Sequence, residues 1–265
     1  MPSFKTASGE ADASQRSAKH ATTAHLDPAL AGPAFSKDRA KAQANILARI
    51  DEASDFEVAS EAIVVLDIVQ STYSTNLFGW HSVGRVVTRD LRRLTREASA
   101  PRGLTSVKTT GDGLLLTFSN RDSAEMAVPS ALAAMWTLLA RARERNAQAP
   151  AQQRLDLRVA VHFGEVDIIE NDREGPNVAF AFRLEKVSRG SLPSALNPID
   201  PRAFPTANYV IGSEAVADVL DRVGEVSPRK SCGLFKLRGF PGWSEVFLLE
   251  PASKVRAVPR SSLGA

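Results

Sequence analysis

The segment that most limits how this chain can fold is AIVVLDIV, residues 62–69. A run this short and this rich in β-branched residues predicts a strand covered on both faces rather than a helix. Such a strand belongs in the middle of a sheet, with other layers above and below it. It also carries a carboxylate, Asp67, at a depth where burial normally excludes charge. A charge in that position needs a partner or a task.

The remaining pattern alternates between strand and helix. Residues 81–98 predict an amphipathic helix with Val83, Val86, Val87, Leu91 and Leu94 on one side. Residues 105–110 and 114–118 predict short strands joined by Gly111-Asp112-Gly113, an Asp-Gly hairpin signal. Residues 122–146 predict a long helix in which Pro129 marks a kink or a late start. A buried strand over 155–163, a helix over 178–188, a strand over 209–211 and a helix over 213–220 capped by Ser213 follow. Residues 235–237 and 244–249 predict a closing hairpin around Gly239, Pro241 and Gly242. The elements mix without a strict βαβ repeat, so the expected class is α+β: one mainly antiparallel sheet with helices packed on it.

Composition bounds the rest. The chain has 265 residues, of which 43% are apolar, enough for one large domain with tails. Residues 1–36 are rich in Ala, Ser, Thr and Pro and predict a disordered tail. Residues 37–58 predict a helical lead-in, with Ile46, Leu47 and Ile50 at helix spacing. The domain is expected over 59–251, and 252–265 as a loose C-terminal tail. Cys232 is the only cysteine, which excludes an internal disulfide framework and a Cys-based zinc cluster and fits a reducing cytoplasm. The net charge is +3 without a dense Lys/Arg block, so no nucleic-acid partner is expected. No stretch approaches the ~20 apolar residues that span a bilayer, and the N-terminus lacks the apolar core of a secretory signal. The expected location is the cytoplasm, with no insertion into a membrane.

Chemistry concentrates on Asp67 and Asp112. Taken singly, the first reads equally well as the cap of a strand end and the second as a turn residue. Brought together, two carboxylates can hold divalent metal ions, with substrate phosphates completing the shell. A pair of such ions activates an attacking hydroxyl and neutralises a leaving pyrophosphate.

Four segments in order carry a resemblance: LDIVQST from Leu66, VKTTGDGLLLTF from Val107, LRVAVHFGEV from Leu157 and DREGPNVAFAFRLEKVS from Asp172. Together they are similar to the class III adenylyl/guanylyl cyclase catalytic domain, over about residues 60–250. The resemblance implies a ferredoxin-like βαββαβ core, a homodimer with shared active sites, and conversion of a nucleoside triphosphate to a 3′,5′-cyclic nucleotide and pyrophosphate. It implies two Mg²⁺ or Mn²⁺ ions per site on Asp67 and Asp112. Lys108 and Asp172 match the base-reading positions, where this pair goes with adenine. Arg183 matches the transition-state arginine. Arg238 sits where the family usually has a lysine for the terminal phosphates.

Two positions depart from the family. Ala179 replaces the asparagine that orients the ribose, and Asn177, two residues earlier, points to another helix face. Gln70 replaces a glycine in the turn after the first metal aspartate, where backbone N–H groups approach phosphate. Besides ATP cyclisation, the resemblance therefore leaves open a pyrimidine nucleotide cyclase, of the kind that some relatives use in antiphage signalling. It also leaves open a degenerate fold that binds nucleotide without turnover.

Overall fold

The computed structural model describes residues 57–225 and 227–251. The expected N-terminal tail, the helix expected within 37–53 and the C-terminal tail from residue 252 lie outside the described residues. The strands are β1 (Glu57–Ile68), β2 (Leu104–Thr110), β3 (Gly113–Phe118), β4 (Leu157–Ile169), β5 (Asp172–Glu174), β6 (Tyr209–Ser213), β7 (Arg229–Phe235) and β8 (Ser244–Leu249). The helices are α1 (Ser71–Phe78), α2 (Arg85–Ser99), α3 (Ala127–Asn146), α4 (Pro176–Glu185) and α5 (Glu214–Arg222).

The sheet order is β2-β3-β1-β4-β6-β8-β7, with β5 paired to β4 beside this path. Every pairing is antiparallel except β4 with β6. From β1 to β4 the chain runs β-α-β-β-α-β with strand order β2-β3-β1-β4, as the resemblance implies. β1 is the hub, pairing with β3 on one side and along twelve register positions with β4 on the other.

Its two faces feed two separate cores. Ala62, Val64 and Leu66 pack with Val87, Leu91 and Leu94 of α2, with Met135 and Leu138 of α3 and with Val216 and Leu220 of α5. Ile63 and Val65 face the other way, with Leu115, Val166, and Val178 and Ala181 of α4. That alternation explains the unbroken apolar run, since no residue in the middle of β1 faces water.

The boundaries moved for local reasons. α3 starts at Ala127, so Pro129 falls in its first turn, where a missing N–H costs no helix bond. α4 starts at Pro176, two residues before the expected start, and ends at Glu185. A π-helical turn over Trp80–Gly84 leads into α2. Glu57 and Val58, the last two residues of the lead-in expected over 37–58, belong to β1, and the rest of that segment lies outside the described residues. β7 begins at Arg229, six residues before the expected strand, because pairing with β8 extends it through a first half that is polar and exposed. Ser213 stands at the start of α5 but makes no side-chain cap, because its hydroxyl bonds His162 instead. Among the described residues no helix is long and apolar enough to cross a membrane.

Candidate functional site

The carboxylate end of the site lies where β1 runs out beside the β2–β3 hairpin. Alternation along β1 puts Asp67 on the α4 face, with Ile63 and Val65. Leu66 pairs with Leu114, so Asp67 comes against the hairpin tip. Gly113 is required there by space: a Cβ would fall 2.3 Å from the Leu66 carbonyl oxygen and 3.3 Å from Asp67 Oδ1. The glycine lets the hairpin ride against β1, and Asp112 is the residue next to it at the tip.

Asp67 is not alone. Its cross-strand neighbour is Arg158 on β4, whose Nη2 donates to Asp67 Oδ2 at 2.6 Å. Glu185, at the end of α4 and only 1% exposed, forms an ion pair with Arg158 from the other side. Arg158 Nε and Glu185 Oε1 face each other at ion-pair range without the alignment of a hydrogen bond. Lys186 Nζ meets Glu185 Oε2 at 2.7 Å. Burial pulls the Arg158 guanidinium down, but the bond to Asp67 and the charges of Glu185 and Asp67 outweigh it and hold it above its ordinary value. Burial likewise pushes the phenol of Tyr209, opposite Arg158 on β6, up to about 12.

The second pole of the site lies on β2 and β5. Lys108 Nζ bonds Asp172 Oδ2, joining residues 64 apart in sequence. Both stay accessible, at 53% and 34% side-chain exposure. The Lys108 bond holds the Asp172 carboxyl below the usual carboxylate range; burial opposes this, and the Arg173 N–H, 2.9 Å from Oδ1, adds to it.

Arg183 projects from α4 and Arg238 from the turn after β7, both exposed. Among the described residues neither side chain forms a hydrogen bond or an ion pair. The fold thus brings together Lys108 with Asp172, and Asp67 with the hairpin that bears Asp112, and leaves the two arginines open to solvent.

The departures have structural counterparts. Asn177 is committed: its Nδ2 donates to the Glu165 carbonyl at 2.8 Å, and its Oδ1 accepts from His162 Nε2 at 3.0 Å. It lies so close over β4 that a Cβ at Gly164 would fall 2.6 Å from it. With Nε2 protonated, the neutral His162 ring accepts at Nδ1 from the Ser213 hydroxyl, 2.8 Å away. Burial lowers the His162 pKa and keeps the ring neutral. Ala179, two residues after Asn177 and so on another face of α4, is exposed. Gln70 adopts φ +59°, the left-handed conformation a glycine would take freely.

Sequence reasoning overlooked Arg158, Glu185, Glu61 and Arg173. Arg158 gave a signal that went unused, since it interrupts the apolar run LRVAV just as Asp67 interrupts its own. Glu185 gave none: next to Lys186 it reads as a surface charge, yet α4 turns it inward.

Among the described residues no group of three or more His, Cys, Asp or Glu gathers as a protein-only metal cage. Asp67 and Asp112 nevertheless fit a hard divalent cation: both are oxygen donors on adjoining elements, and Mg²⁺ typically takes one or two carboxylates with phosphate oxygens and water.

No family model matches the sequence, and no curated protein matches it. Solved structures do. The adenylyl cyclase CyaB from P. aeruginosa is 13% identical, with a TM-score of 0.57 over 77% of this chain and 100% of that one. An adenylate/guanylate cyclase/hydrolase from Silicibacter pomeroyi is 20% identical, with a TM-score of 0.53 over 75% of this chain and 100% of that one. The guanylate cyclase domain from Catenaria anguillulae, in complex with GTP, is 13% identical, with a TM-score of 0.55 over 73% and 98%. With the βαββαβ order, the Asp67–hairpin junction and these whole-domain superpositions, the chain has the class III nucleotidyl cyclase catalytic fold.

Proposed function

We propose that this chain is a nucleotidyl cyclase that converts ATP to cyclic AMP and pyrophosphate at sites shared between two copies. The observation that carries the reading is the Lys108–Asp172 contact, in which two residues of distant segments meet as an exposed donor–acceptor pair. Lysine offers a proton to N1 of adenine, and aspartate accepts one from its amino group; guanine presents the opposite pattern. In the reaction the ribose 3′-oxygen bonds to the α-phosphorus, the bond from that phosphorus to the bridging oxygen breaks, and pyrophosphate leaves with its electrons. The 3′-hydroxyl proton passes to solvent.

Asp67 and Asp112 would hold two Mg²⁺ or Mn²⁺ ions, which when bound lower the pKa of the 3′-hydroxyl and neutralise the phosphates. Arg183 lies free to stabilise charge on the α-phosphate, and Arg238 to meet the terminal phosphates. Arg158 holds the Asp67 carboxylate in place from behind.

A pyrimidine nucleotide cyclase is the second reading. The exposed Ala179 favours it: with Asn177 turned onto β4, no asparagine of α4 is left to orient a ribose as the family does. The test is product analysis after incubation with ATP, GTP, CTP or UTP and Mn²⁺. Cyclic AMP is expected; cyclic UMP or CMP would transfer the assignment to the second reading. No product from any nucleotide would leave a fold that binds without turnover.

A further inference from the structure

Behind the Lys108–Asp172 pair lies a charge pair that no part of the proposed chemistry uses. Arg173, the residue after Asp172, turns inward from β5 and lies across to Glu61 near the start of β1. Its Nε donates to Glu61 Oε2 at 2.9 Å and its Nη2 to Oε1 at 3.2 Å. The side chains are 9% and 2% exposed. Glu61 Oε1 also accepts from Thr105 Oγ1 of β2 at 2.8 Å, and Thr105 in turn accepts from the Thr117 hydroxyl of β3 at 2.8 Å. One buried carboxylate therefore ties β5 to β1 and to both strands of the hairpin that carries Lys108.

This tie lies in the wall of an open cleft. A cavity of about 500 Å³ opens beside the start of β1, β2 and the β4–β5 turn, with Glu57, Ser106 and Asn171 on its walls beside Glu61, Thr105 and Arg173. Polar groups link the β4–β5 hairpin to β2: the Lys108–Asp172 bond and the long Ser106 contact to the Asn171 carbonyl at 3.4 Å. Arg173 also acts on its neighbour directly: its N–H donates to Asp172 Oδ1 and its Nη1 reaches the Asp172 carbonyl at 3.5 Å. A buried bidentate ion pair is a weak source of net stability but a strong source of fixed geometry.

We propose that the Glu61–Arg173 pair is a specificity-determining positioning element, which sets the spacing between Lys108 and Asp172 and thereby the discrimination between bases. The inference rests on reading Lys108 and Asp172 as the base-reading pair. Neither Glu61 nor Arg173 touches nucleotide in this account. They act through Asp172.

The test compares wild type with the double variant Glu61→Met/Arg173→Met, because an apolar pair of similar volume usually maintains a fold that a lone buried charge would break. Arg173→Lys, which keeps the charge and loses the fork, is the milder second variant. Binding of the α,β-methylene analogues of ATP and GTP is measured by calorimetry, because the CH₂ in place of the bridging oxygen blocks the reaction. The ratio of the two Kd values should fall by about 10-fold or more in the double variant and by less in Arg173→Lys, as expected when a charge-assisted base contact loses its alignment. The Mn²⁺ dependence of binding should stay as in wild type. An unchanged ratio in a folded double variant overturns the proposal; if that variant fails to fold, an unchanged ratio in Arg173→Lys does so. A wild type that binds the adenine analogue selectively but forms no cyclic nucleotide removes the proposed function and leaves this inference to the binding ratios. A wild type that discriminates between neither analogue removes both.

Discussion

The two poles of the site use the same chemistry, a cation against a carboxylate, in opposite settings. Lys108 and Asp172 meet at the surface, half open to water. Asp67, Arg158 and Glu185 meet beneath α4, where Glu185 is sealed from solvent. An exposed pair contributes ~0–1 kcal/mol and exchanges readily for a ligand. A buried triad contributes little net stability, yet losing one member strands a charge. The surface pair thus suits a task of recognition, in which a base takes the place of each partner. The buried one suits a task of holding a carboxylate still.

The largest effects should come from breaking the carboxylate pole together with the arginine of α4. On the proposed function, Asp67→Ala and Arg183→Ala should each lower product formation by at least ~10³-fold, since each would remove a group assigned there to the transition state. If sites are shared across a two-fold axis, mixing these two inactive variants should restore part of the activity, because a heterodimer carries one site free of both lesions. A mixture that stays inactive despite demonstrated subunit exchange would break the shared-site model.

Next comes stability, where the two poles should diverge. Glu185→Ala should cost about 2 kcal/mol in urea unfolding, the buried-pair penalty reduced because Arg158 retains Asp67 and some solvent. Asp172→Ala should cost under ~1 kcal/mol while lowering adenine selectivity at least ~10-fold. Equal losses of stability would erase the distinction between the poles.

Between them stands α4, and Ala179 tests its free side. Ala179→Asn should raise kcat about 10-fold with little change in KM, as for a contact made only in the transition state. An unchanged rate would mean that another group orients the ribose or that the substrate is not a purine nucleotide.

The smallest effect concerns the anchoring of α4. Burial holds His162 neutral, so its folded pKa lies below the ordinary value of 6.5. Its contribution to stability is fully present above the unfolded pKa and is lost as the pH falls below that value toward the folded one. Unfolding free energy should drop by up to about 1 kcal/mol between pH 8 and pH 6 on this account. His162→Gln should flatten that slope. Asp172 cannot mimic it: its depressed carboxyl gives stability that is present above the unfolded carboxylate pKa and is lost only as the pH falls through its folded value, well below pH 6.

Much of this was legible in the sequence because it is written in periodicity. The run at 62–69 announced a central strand covered on both faces, and Gly111-Asp112-Gly113 announced the hairpin. Asp67 and Asp112 stood out from their place in a buried strand and a tight turn, whereas Lys108, Asp172, Arg183 and Arg238 were named only through motif order, since composition offers no reason to couple Lys108 with Asp172. What stayed hidden depends on which way a side chain turns at the end of an element. Glu185 reads as a surface residue until α4 is docked, and Arg173 reads as one more charge in a polar loop until β5 pairs with β4 and aims it at Glu61. The start of β7, ahead of the expected strand, was missed because its exposed Arg229-Lys230-Ser231 has no strand-like alternation; only pairing with β8 makes it a strand.

The polarity of β7 matters for another reason. β2 and β7 are the two outermost strands of the sheet, and an outer strand leaves a row of N–H and C=O groups facing outward. Each has the same two features: an irregular register, between Leu104 and Ser106 in β2 and between Ser231 and Gly233 in β7, and a lysine, Lys108 or Lys230. A bulge twists such an edge away from a flat partner, and a lysine makes stacking another strand there costly. Lys108, beside an exposed Val107, therefore has an edge-protecting position that is independent of the base-reading role proposed for it. Replacing it with an apolar residue would remove that guard and leave a strand edge prone to self-association, so low yield in a Lys108 variant would not by itself report on catalysis.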